Sequence, residues 1–170
     1  MQFEAPVPRT ALRWMPALLV VTLLPLLALL PIAARGPLVV AVGLLLTCVL
    51  LGAILVGVWL RMRRPLLYRI EGDTLVVPGH LGSVRVRLPS ARFRLGPPTG
   101  WKVSGTAVPP FRLGAFADRE GAYHAAASTD SGVWVRGDRR VFVTPLDVGG
   151  FVAALGNAGA TPDEGAVGKG

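Results

Sequence analysis

Reactive side chains are scarce in this 170-residue chain, which has one cysteine and two histidines. A lone Cys48 excludes an intrachain disulfide and any cysteine-based metal site. Its place within an apolar run marks it as a small buried hydrophobe. His80 and His124 lie 44 positions apart, and neither falls in a motif that pairs it with a Ser or Cys nucleophile. No GxxxxGK[ST] or GxGxxG sequence is present to cradle a phosphate. Carboxylate pairs that could be weighed are Asp118 with Glu120, in a predicted turn, and Asp163 with Glu164, in the C-terminal tail. Both read as solvated loop charges. The sequence therefore predicts neither an enzyme nor a bound cofactor or metal.

Charge is also missing where it matters most. Residues 14–60 contain one charged side chain, Arg35. The net charge of +8 divides unevenly: residues 1–64 carry six Arg and one Glu, and residues 65–170 carry twelve basic and nine acidic groups. The basic excess thus sits beside the apolar segment, which argues for a membrane setting and against a nucleic-acid partner. Sixteen of the eighteen basic residues are Arg, a bias that genomic composition explains as well as guanidinium chemistry does.

Trp14 to Ala34 runs 21 residues without a charge, and Pro37 to Leu60 runs 24. Each exceeds the roughly 20 helical residues that cross a hydrocarbon core of about 30 Å. Backbone groups in lipid must bond internally, so helices are the expected form. Ala34-Arg35-Gly36-Pro37 leaves room only for a turn, and the two spans are expected to pack antiparallel as a hairpin. Pro16, Pro25 and Pro31 fall in the first span. The small-residue pairs Gly43/Thr47 and Ala53/Gly57 in the second are expected to pack within the hairpin, with self-association as the sharper alternative. Arg9 and Arg13 precede the first span and Arg61, Arg63 and Arg64 follow the second, so the positive-inside rule places both termini in the cytoplasm, in a multi-pass protein of the cytoplasmic membrane. A cleaved leader ending near Ile32-Ala33-Ala34 is the rival reading. Its apolar region is too long, and another span follows at once.

Beyond Pro65 the apolar period shortens to two. Leu66, Tyr68 and Ile70 alternate with Leu67, Arg69 and Glu71, and Val84, Val86 and Leu88 alternate with arginines. About seven short strands separated by turn-formers predict an antiparallel β-sandwich or barrel. Residues 96–110, rich in Gly and Pro, predict a long irregular loop. Thr144-Pro145-Leu146-Asp147 reads as a helix start with a Thr144 cap, and Phe151, Val152 and Leu155 continue at helical spacing. The expected organisation is an N-terminal cytoplasmic segment (1–13), spans at 14–34 and 37–60, a soluble domain (66–156) and a disordered tail (157–170).

This α+β layout, a two-helix transmembrane hairpin followed by an antiparallel sheet domain with a C-terminal helix, has a relative. Tyr68 to Val77 resembles the opening hairpin of bacterial pleckstrin-homology-like (PH-like) domains. The Gly105 to Phe116 stretch, with Pro109, Pro110 and Gly114, resembles a glycine–proline–glycine–aromatic pattern of one such family, and Val141 to Leu155 resembles its last strand and helix. The resemblance covers residues 66–156 and implies fold, not catalysis. Ala122 to Ala127 is smaller and less β-branched than the family's strand.

Two arginine groups are candidate contacts for lipid headgroups or an acidic partner. Arg61, Arg63 and Arg64 border the second span, and Arg85, Arg87, Arg92 and Arg94 are expected on the outward side of two successive strands. Trp101 in the Gly/Pro-rich segment is either an exposed residue that docks at an interface or part of the loop packing under the sheet. The expected function is a noncatalytic membrane-anchored domain that binds a protein, peptide or lipid partner beside the bilayer. The alternative is a structural accessory subunit assembled mainly through the hairpin.

Overall fold

The computed structural model describes residues 1–29, 31, 35–80 and 82–163. They form two compact units: a helical unit, Arg9–Arg64, and a sheet unit that joins Met1–Pro8 to the chain from Pro65 onward.

The helical unit holds α1 (Arg9–Ala28) and α2 (Leu38–Met62). Among the described residues α2 is the one helix long and apolar enough to cross a membrane, and α1 contributes a shorter apolar stretch, Leu12–Ala28. The first helix therefore differs from the expected span at 14–34. It begins five residues earlier, taking in Arg9 and Arg13, and ends at Ala28; Ile32-Ala33-Ala34 lie outside the described residues. The helices run antiparallel: Gly52 faces Leu23, and Met15, Pro16, Leu19 and Val20 border one cavity with Leu55, Val56 and Trp59. Their less exposed positions include Leu12, Met15, Leu19, Thr22, Leu23 and Leu26 on α1, with Ala41, Leu44, Cys48, Leu51, Gly52, Leu55, Val58 and Trp59 on α2. That spacing of three and four is the seam of a coiled coil. Gly43 and Gly57 lie off the seam in open space, so the expectation that their motifs pack within the hairpin is corrected; Gly52 takes that role.

The sheet unit is α+β. Its first sheet has the order β1-β2-β3-β4, from β1 (Gln2–Glu4), β2 (Leu67–Glu71), β3 (Thr74–Pro78) and β4 (Ser83–Arg87). The second has seven strands: β5 (Arg92–Gly96), β6 (Trp101–Val108), β7 (Phe111–Asp118), β8 (Gly121–Ala127), β9 (Gly132–Arg136), β10 (Arg140–Val143) and β11 (Thr161–Pro162). Their order is β11-β5-β9-β10-β8-β7-β6. A C-terminal helix, α3, spans Val148–Asn157.

Alternation builds the first sheet as the sequence predicts. Tyr68, Ile70, Leu75, Val77 and Val86 are buried, while Arg69, Glu71, Arg85 and Arg87 face outward. Tyr68 ties the sheets together: its hydroxyl donates to the Ala126 carbonyl at 2.7 Å and accepts from the Thr144 amide at 3.3 Å. Burial pushes its phenol up to about 12.

Several expectations are corrected. The N-terminal segment contributes a strand that the sequence did not predict: Gln2–Glu4 pairs antiparallel with β2, Glu4 opposite Leu67, and Phe3 meets Phe151 edge-on at 5.2 Å. The second sheet is not wholly antiparallel, because β10 runs parallel to β8 and β11 parallel to β5. The predicted loop at 96–110 is mostly strand β6. Gly105 and Gly114 sit opposite each other at positive φ, and a Cβ on Gly105 would overlap the Leu113 carbonyl oxygen. Glycine there permits close hairpin packing instead of signalling a loop. Thr144 does not cap the last helix. Asp147 does, accepting from the Gly150 amide at 2.8 Å, while buried Thr144 accepts from the Ser128 amide at 2.9 Å. Within the predicted tail, Thr161 donates to Ala91 and Asp163 to Phe93; residues 164–170 lie outside the described residues.

Candidate partner-binding surfaces

The four arginines expected on one face are divided between two sheets. Arg85 and Arg87 are on β4 in the first sheet; Arg92 and Arg94 are on β5 in the second. The chain changes sheets at Leu88–Ala91, where the Leu88 amide donates to Asp73 and the Ala91 amide to Leu88, and this turn separates the pairs. Arg85 and Arg87 border an open cleft of about 420 Å³ with Glu71, Thr74 and Asp138. Asp138 accepts from the Arg87 backbone amide at 3.0 Å. That cleft has matched charge, two arginines against two acids.

Arg94 belongs to a more organised region. Four aromatic rings line one face of the second sheet in series. Phe116 stacks on Tyr123 at 5.7 Å, Tyr123 meets Trp134 at 4.7 Å, and Trp134 meets Phe142 at 5.0 Å. Strand register places them: Phe116 lies opposite Tyr123, and Trp134 opposite Phe142. The segment Pro97–Gly100 straps over this row. The Trp134 indole donates to the Pro97 carbonyl at 3.0 Å, the Tyr123 hydroxyl donates to the Thr99 carbonyl, and the Thr99 hydroxyl donates to Asp118 at 2.9 Å.

Cations crown the row. The Arg140 guanidinium lies 5.7 Å from the Tyr123 ring and 5.4 Å from the Trp134 ring, and Arg94 lies 5.8 Å from Trp134. Arg140 grips Asp118 through two 3.0 Å bonds, with only 7% of the Asp118 side chain exposed. Hydrogen bonding from Arg140 holds the Asp118 carboxyl down at about 2. Glu120 accepts from Arg136 and from Arg140 and lies 3.8 Å from Arg94. Asp118 is thus not the solvated turn charge expected of it: it and Glu120 are the acceptors of an arginine network. Arg136 and Arg140 were not singled out by the sequence, although the Gly137-Asp138 turn between their strands made them cross-strand neighbours. Beside the network, an open cleft of about 430 Å³ is bordered by Arg94, Arg119, Glu120 and Trp101. Trp101 is 63% exposed and does not pack under the sheet.

In the helical unit, Arg63 stacks over Trp59 at 4.9 Å, and Arg61 and Arg64 follow in the same terminal turn. The two histidines have separate settings. His80 is exposed. His124 places Nε2 3.1 Å from the Pro78 carbonyl, and burial holds its imidazole below the usual range. Among the described residues no three of His, Cys, Asp and Glu come together in a way that would hold a metal ion.

Comparison with protein-family models, with curated proteins and with solved structures returned no match.

Proposed function

We propose that this is a noncatalytic protein of the cytoplasmic membrane, anchored by both helices, whose PH-like sheet domain binds a protein, peptide or lipid partner beside the bilayer. The observation that carries the anchoring is the pairing of β1 with β2. The Ala5 amide donates to the Leu66 carbonyl at 2.8 Å, so the chain leaves the sheet unit and re-enters it at neighbouring points. A segment whose two ends belong to one folded domain crosses a membrane an even number of times. With α2, which is long and apolar enough to cross, as one crossing, α1 makes the return crossing in this reading. At 20 residues and about 1.5 Å per residue, α1 reaches roughly 30 Å. Arg9, Arg13, Arg61, Arg63 and Arg64 then share one side, opposed only by Arg35, and the positive-inside bias makes that side cytoplasmic.

The partner-binding part rests on the cleft beside Trp101 and Arg94, which joins an exposed aromatic to cations. A photo-crosslinking side chain at position 101 or 94, in cells carrying the full chain, is expected to capture a discrete partner. Repeated recovery of the bare chain from mild detergent, with neither partner nor lipid attached, would sink the reading.

One observation favours the accessory-subunit alternative: Gly43 and Gly57 turn away from α1. Exchanging the hairpin for an unrelated one separates the two, since only the accessory role predicts loss of association.

A further inference from the structure

Resting on the membrane anchoring above, we infer that the helical unit carries a binding site for one phospholipid with an anionic headgroup, at the arginine-rich end of α1. Arg9, Arg13, Trp14 and Ala17 border a cavity of about 500 Å³. A second cavity, of about 260 Å³, lies along the α1–α2 seam between Pro16, Leu19 and Val20 on one side and Leu55, Val56 and Trp59 on the other. Arg9, Arg13, Pro16 and Val20 are spaced by four, three and four residues, which sets them on one stripe of the helix. In this proposal a headgroup phosphate is held by the two guanidinium groups and its acyl chain lies along Pro16 and Val20, which border the second cavity.

Charge points to the same occupant. No Asp or Glu occurs in Arg9–Arg64, so the helical unit has no internal carboxylate to neutralise Arg9 and Arg13. Both also sit in the first two turns of α1, where the helix dipole already presents positive charge and cations are disfavoured. A bound anion relieves both. Trp14, 68% exposed, belongs to the residue type that settles at headgroup depth. A free anion would satisfy the arginines and leave the seam cavity without an occupant. A zwitterionic lipid would fill the seam and leave the arginine pair without net countercharge.

The test uses the full chain. Alkaline carbonate extraction of membranes comes first: release of the wild-type chain would overturn the anchoring and this site with it. Retained protein is then purified in mild detergent and titrated with phosphatidylglycerol and phosphatidylcholine of identical chains, and bound lipid is counted by native mass spectrometry. The wild type is expected to keep one phosphatidylglycerol in preference to phosphatidylcholine. The double change R9Q/R13Q is expected to weaken that lipid roughly thirtyfold, taking about fivefold per arginine near a membrane surface. R35Q is expected to change nothing. V20W, which fills the seam, is expected to weaken both lipids, with a thermal unfolding midpoint reporting that the fold is intact. Equal retention of the two lipids by the wild type, or an R9Q/R13Q protein that binds as the wild type does, overturns the site while leaving the anchoring in place.

Discussion

The two units of this protein solve opposite problems with the same apolar residue types. In the sheet unit, Val133, Val135, Val141 and Phe142 are fully buried. On α2, Val39, Leu46 and Leu50 are mostly exposed, and Cys48 and Met62 are the only buried residues. A soluble core hides apolar surface from water by folding. On α2 it is left outward, which suits the apolar surroundings that the proposed anchoring supplies. The difference lies in the solvent each unit is built for, and it is visible from the period of the sequence: seam positions at three and four in one unit, strict alternation in the other.

Substitutions that respond differently in the two units test this contrast. The largest effect is expected in the sheet unit. Phe142→Ala removes a fully buried ring from the aromatic row and should cost about 3–5 kcal/mol, read as a sharply lower unfolding midpoint. A loss under 1 kcal/mol would mean that the row is not a core. Leu50→Arg, on the open side of α2, should cost roughly 3 kcal/mol of membrane insertion, seen as protein released by carbonate. The same change at a water-facing site usually costs under about 0.5 kcal/mol, so an unchanged membrane fraction would break the comparison.

Arg140→Ala leaves the sheltered Asp118 carboxylate without its main donor and should cost roughly 2 kcal/mol at neutral pH. The pH dependence has a definite sign. Because the folded-state value of Asp118 is held at about 2, below its ordinary 3.8, the stability it supplies is present above pH 3.8 and disappears as pH falls through 2. Denaturant unfolding of wild type and variant should therefore converge in acid; a constant gap across pH would assign the loss to ring stacking instead. Asp147→Ala is the smallest change, about 1 kcal/mol through the lost cap on the Gly150 amide.

Much of the fold was legible because it depends on local period. The alternation at Tyr68–Glu71 and Ser83–Leu88, the buried Phe151 and Leu155, and the apolar length of α2 follow from residue spacing alone. Non-local pairing was not legible. Nothing in Gln2-Phe3-Glu4 states that its partner lies past two helices, and nothing in Thr161-Pro162 names Ala91 and Phe93. Glycine misled at 96–110, since Gly105 and Gly114 serve close strand approach there and not a loop. At the candidate surface, Arg94 was found by alternation. Arg136 and Arg140 were missed because their importance comes from register, which sets Arg136 opposite both Arg92 and Arg140.

The β1–β2 pairing also dictates an order of assembly. Glu4 is synthesised more than sixty residues ahead of Leu67, its partner across the ladder, so the first strand emerges with no edge to join. It has to wait without its partner while both helices are made. The sheet unit closes only after the hairpin is in place, with the long sequence separation that slows folding. In the proposed topology membrane insertion thereby becomes a step on the folding path of the sheet unit, and a defect in the helices is expected to surface as an incomplete sheet.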